Sequence, residues 1–65
     1  MAVSTLQEAA KKDPQDSSIH YHLGLACGKV NRPDCAKSEL QLALKLSPNG
    51  PQSGEVKEAL EGVSQ

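Results

Sequence analysis

Aromatic side chains are almost missing from this chain: one tyrosine, Tyr21, and no phenylalanine or tryptophan in 65 residues. Any core must therefore be built from Leu, Ala, Val and Ile, and leucine and alanine spaced along a chain favour helix over strand. Charge of one sign is also lacking. The net charge is −1, with acids and bases interspersed, which leaves no electrostatic footprint for nucleic acid or an acidic membrane surface. No apolar run approaches the roughly 20 residues that a membrane-spanning helix needs. The first residues carry no basic segment followed by an apolar stretch, so they do not read as a signal peptide, although a longer parent could carry one.

Cysteine is scarce as well. Cys27 and Cys35 alone do not make a disulfide scaffold. The reading taken from sequence is two reduced thiols packed as small apolar residues. A bridge between them requires Cα atoms within about 7 Å. A chain of this length buries only about 60% of its unfolded surface, so its stability is marginal without staples or partners.

What is present is helical periodicity. Val3, Leu6, Ala9 and Ala10 fall on one face of a segment over 3–12, which Ser4 or Thr5 is placed to cap and Asp13-Pro14 ends. Asp16, Ser17 and Ser18 are N-cap types ahead of a second segment. Its stripe is Ile19, Leu23, Ala26, Cys27 and Val30. Gly24 lies inside that stripe. Glycine there costs about 1 kcal/mol against alanine, which implies close approach of another helix. Asn31 suits the left-handed residue that ends many helices, and Pro33 and Asp34 suit the first turn of the next. Ala36, Leu40, Ala43 and Leu44 form the inner stripe of that third segment. Leu42 and Leu46 broaden it, so it is expected to bury more than one face. Pro48-Asn49-Gly50-Pro51 breaks the chain. A last segment from Pro51 or Ser53 carries Val56, Ala59, Leu60 and Val63 on one side and Glu55, Lys57, Glu58 and Glu61 on the other. Such a one-sided helix can close a stacked array.

The first and third segments are related. Leu6 and Leu40, Gln7 and Gln41, Ala9 and Ala43, Lys11 and Lys45, and Pro14 and Pro48 are all identical pairs 34 residues apart. A constant offset over this many pairs is an internal repeat, in which each helical hairpin needs a stacked neighbour to bury its apolar face.

Leu23-Gly24, Ala36, Ala43 and Pro48, with Leu40 at the place of the second-helix aromatic, resemble a tetratricopeptide repeat. His20 and Cys27 stand where that family carries aromatics, which implies a thinner repeat. The resemblance implies an all-α fold, four helices in antiparallel hairpins forming a fragment of a right-handed superhelix. As a single domain over 1–65, it divides into the second helix of a partial repeat (3–16), one full repeat (17–50) and a capping helix (51–65). It further implies the C-terminal fragment of a longer, bacterial repeat protein. The run from Leu44 to Pro51 is similar to C-terminal repeats of bacterial pilus or envelope-polysaccharide scaffolds. The compartment is left open between cytoplasm and bacterial envelope.

In this family the first helix of each repeat lines a concave groove for an extended peptide or a helix. By position, the groove residues implied here are Ser18, Tyr21, His22, Leu25, Gly28 and Lys29. Chaperone-binding members clamp a terminal carboxylate with Lys and Asn at the places held here by Tyr21 and Leu25, so chaperone binding is not expected. The alternative for the six residues is an ordinary solvated face, with Tyr21 partly covered by the last helix.

Enzyme chemistry finds no foothold. His20 and His22, at i and i+2, point about 200° apart and cannot share an ion. His20 and Cys27 give two ligands, fewer than the four typical of structural zinc. Cys27 on a buried stripe is not a reactive thiol. There is no phosphate-binding glycine loop and no Ser-His-Asp arrangement, and Glu55, Glu58 and Glu61 read as a solvated helix face. No catalytic residue, metal or cofactor is expected. The expected function is a protein-interaction scaffold with a shallow groove. The alternative is an assembly piece that stacks into a longer array or homo-oligomer through an exposed apolar strip on the first helix.

Overall fold

The computed structural model describes residues 3–64; Met1, Ala2 and Gln65, the last of these within the expected capping helix, lie outside the described residues. The described residues form an all-α fold of four helices: α1 (Val3–Lys12), α2 (Ser17–Lys29), α3 (Pro33–Leu46) and α4 (Ser53–Ser64). No strand occurs among them.

Local chemistry accounts for the helix boundaries. Asp16 caps α2, its carboxylate accepting from the backbone N–H of Ser18 at 2.9 Å and of Ile19 at 3.2 Å, which satisfies two of the orphan donors of the first turn. Asn31 takes a left-handed φ of 61° and turns the chain. Pro33 then opens α3, where its missing N–H is no loss. The expected caps of α1 are corrected: the helix is already formed at Val3, so Ser4 and Thr5 sit inside it.

α3 packs on α2 over most of its length, α4 packs on α3, α1 packs on α2, and α4 also touches α2. The contacts between α2 and α3 step away from their connection together. Cys27 meets Cys35, Gly24 faces Ala36 and Leu40, and His20 reaches Glu39. Two buried clusters result. Leu6, Leu23, Cys27 and Ala36 make one, and Leu40, Ala43 and Val56 make the other. Val63 on α4 packs against both. Leu40 and Cys27 are the largest fully buried side chains.

Gly24 is required by closeness. A Cβ there would lie 2.7 Å from Leu40 Cγ, 2.9 Å from Leu40 Cδ2 and 3.2 Å from the Ala36 carbonyl oxygen. A side chain would collide with the most tightly enclosed leucine of the core.

Three expectations are corrected by the packing. Cys27 and Cys35 are not reduced thiols but a disulfide, with Cα atoms 5.8 Å apart. The short turn brings the last turn of α2 against the first turn of α3, inside the distance a bridge needs. Val30, expected on the buried stripe, is the C-cap of α2 and is 53% exposed, because the stripe ends where the helix does. Leu42 and Leu46 are exposed rather than buried, since α2 and α4 take only the face of α3 that carries Ala36, Leu40 and Ala43. Among the described residues the exposed large apolar side chains are Leu25, Val30, Leu42 and Leu46. None is on α1, whose Leu6 is buried and whose Val3 and Ala10 pack on the first cluster.

Candidate functional site

α2 supplies the residues of interest, and each faces a different neighbour. Toward the interior, His20 is buried and held at both ring nitrogens. Nε2 lies 2.7 Å from the Pro14 carbonyl oxygen, and Nδ1 lies 2.7 Å from Glu39 Oε1. A carbonyl can only accept, so Nε2 carries a proton; the charged imidazolium donates to both partners at once. Burial lowers the His20 pKa. The Glu39 hydrogen bond, the Pro14 carbonyl and the Glu39 and Asp16 charges outweigh it, so the net shift is upward from 6.5. His20 thus ties the α1–α2 connection to α2 and α3, in the place where an aromatic was expected.

This shift has a definite pH consequence. A folded-state pKa above the unfolded value contributes stability that is complete below the unfolded pKa, about 6.5, and is lost as pH rises through the folded pKa. The midpoint of thermal unfolding, followed by circular dichroism from mildly acid to mildly alkaline pH, is therefore expected to fall across neutrality. His20→Asn should flatten that dependence. A midpoint that rises over this interval, or an unchanged slope in the variant, would contradict the assignment.

Toward α4, the Tyr21 hydroxyl donates to Glu55 Oε2 at 3.1 Å, and the ring packs on the Leu40–Ala43–Val56 cluster. Burial, the Glu55 hydrogen bond and the Glu55 and Glu58 charges raise its pKa. Tyr21 is thus partly covered by the last helix, as the alternative reading of that face expected. His22 lies on the exposed side of α2, its Nδ1 donating to the Ser18 carbonyl at 2.8 Å, and its ring lies 5.3 Å from that of Tyr21, centroid to centroid.

The six residues read as a groove share one stripe of α2, and five of them border hollows along it. Ser18 lines a hollow of about 370 Å³ with Ser47, Gln52 and Val56. His22, Leu25 and Lys29 border a shallow depression of about 160 Å³ against Leu6. Leu25 and Gly28 line a cleft of about 410 Å³ between the end of α2, the start of α3 and α4. The other walls of this cleft include Arg32, Ala36, Leu40, Ala59 and Gly62.

The cleft owes its width to two glycines. A Cβ on Gly28 or on Gly62 would meet nothing within 4 Å. These two are 34 residues apart, as are Leu25 and Ala59, and the hydrogen-bonded Tyr21 and Glu55. Tyr21 and Glu55 meet directly, and the members of the other two pairs line the same cleft. Ala59, Gly62 and Arg32 were missed from sequence. The 34-residue offset held the signal for the first two, had it been continued from α1 and α3 into α2 and α4.

Among the described residues no helix is long and apolar enough to cross a membrane, and no group of three or more His, Cys, Asp and Glu is placed to hold a metal ion. No protein-family model, curated protein or solved structure matches the chain.

Proposed function

We propose that this chain is a non-catalytic protein-interaction module of tetratricopeptide-like design, antiparallel helical hairpins stacked as a fragment of a right-handed superhelix, that takes a peptide or helix in the cleft between α2 and α4. One observation carries the reading. Gly28 on α2 and Gly62 on α4 leave open space between walls made by Leu25, Ala59 and Leu40. A concave, mostly apolar surface with a few polar groups at its edge is the usual form of a binding site. The one buried polar side chain among the described residues, His20, has both ring nitrogens engaged. The Cys27–Cys35 bridge supports an oxidising compartment over a reducing cytosol.

The test is selection from a displayed library of random peptides against the folded chain. Filling the cleft by Gly28→Leu or Gly62→Leu adds side chains where nothing obstructs them, so both variants should melt no lower than the parent. Enriched peptides should compete with one another and lose about tenfold or more in affinity to either variant. Selection that enriches nothing, or peptides indifferent to both substitutions, would overturn the reading. The assembly alternative has less support, because the α1 face it would use is packed on α2.

A further inference from the structure

Resting on the cleft as a peptide site, we infer that its partner is a segment with a bulky apolar anchor, a basic residue on the side toward Tyr21 and an acidic residue on the side toward the α2–α3 turn. The anchor follows from space. About 410 Å³ lie open above Gly28 and Gly62, and the chain has one aromatic side chain, Tyr21, which already rests on the core. The large contact group that usually dominates such an interface must therefore come from the partner.

Charge gives the direction. Glu55, Glu58, Ala59 and Gly62 recur at i, i+3, i+4 and i+7 and so share one stripe of α4. Ala59 and Gly62 line the cleft, and Glu55 and Glu58, each one turn earlier on α4, stand beyond that lining, with Glu55 at Tyr21. Glu55 has one oxygen engaged by the Tyr21 hydroxyl, and Glu58 is exposed. The opposite end is closed by Arg32. The apolar floor thus has carboxylates just beyond one end and the Arg32 guanidinium at the other. Complementary charges at the rim choose partner and orientation more than they add affinity.

The experiment is the same library selection, run in parallel on the parent chain and on Glu58→Lys, an exposed substitution that leaves the floor intact. Against the parent, the enriched consensus should hold one large aromatic or aliphatic residue with a Lys or Arg on one side and an Asp or Glu on the other. Against Glu58→Lys, the basic preference should disappear or invert. Peptides that need the open glycine floor but carry no charge order, or whose consensus is the same for both baits, overturn this inference and leave the cleft reading standing. Peptides indifferent to Gly62→Leu, or no enrichment at all, overturn both.

Discussion

Leu40→Ala should cost about 2–5 kcal/mol. Leu40 is 1% exposed and lies between Gly24 on α2 and the face that receives Val56 of α4, so its loss opens a cavity at the meeting point of three helices. A chain of this size holds only about 3–10 kcal/mol in total. The variant should therefore populate unfolded or loosely packed states at physiological temperature. Gly24→Ala acts on the same contact from the other side. The added methyl presses into Leu40, at a cost of about 1–3 kcal/mol for overpacking, offset by about 1 kcal/mol of helix propensity. The pair makes a sharper test than either member. In the double variant the methyl at 24 enters space that Leu40 has left, so the combined loss should fall short of the sum by about 0.5–3 kcal/mol. Denaturant unfolding of the four proteins reads this directly. Strict additivity would mean that α2 and α3 do not approach at Gly24.

Reduction of Cys27–Cys35 should lower the thermal midpoint by about 10–20 °C. The bridge closes a loop of 8 residues across the α2–α3 turn. Chain-entropy reasoning assigns such a loop about 2.5 kcal/mol, and in a domain this small each kcal/mol moves the midpoint by about 4–8 °C. Cys27 is completely enclosed and packs with Leu6, Leu23 and Ala36. Reduction keeps both sulfurs in place, so the loss reports the cross-link rather than a cavity. Melting followed by circular dichroism, with and without a phosphine reductant, measures it. A thiol titration of the unreduced, denatured chain should find no free thiol. Two titratable thiols, or a midpoint that ignores the reductant, would contradict the bridge.

These two contacts also mark what could be read from sequence and what could not. The four helices, a cap for α2 among Asp16, Ser17 and Ser18, the Asn31 turn and the Pro33 start follow from periodicity and from short-range backbone chemistry; the structure selects Asp16. Gly24 announced its close neighbour because glycine inside a stripe has few other uses. The disulfide was misread because cysteine count is a statistical guide, whereas bridging depends on a distance. The turn held the clue, since it sets Cys27 and Cys35 each about one helical turn from the reversal. Leu42 and Leu46 were misread because periodicity names an apolar face without saying whether a neighbour exists to cover it. In the sequence His20 stood out as a departure from the repeat pattern and as an incomplete metal ligand set. Its partners, Pro14 and Glu39, lie on other elements and become visible only when those elements meet. The cleft was half legible. α2 supplied Leu25 and Gly28, but the opposing wall needed the fourth helix in place.

A concentration series of the solution mass, by sedimentation equilibrium, tests the central claim most directly: a self-contained module that keeps its cleft open to a partner. The account predicts a mass near 6.9 kDa that does not change with concentration, because α1 has turned its apolar side onto α2. A dimer, or a mass that climbs with concentration, would contradict it and give the lead to end-to-end assembly.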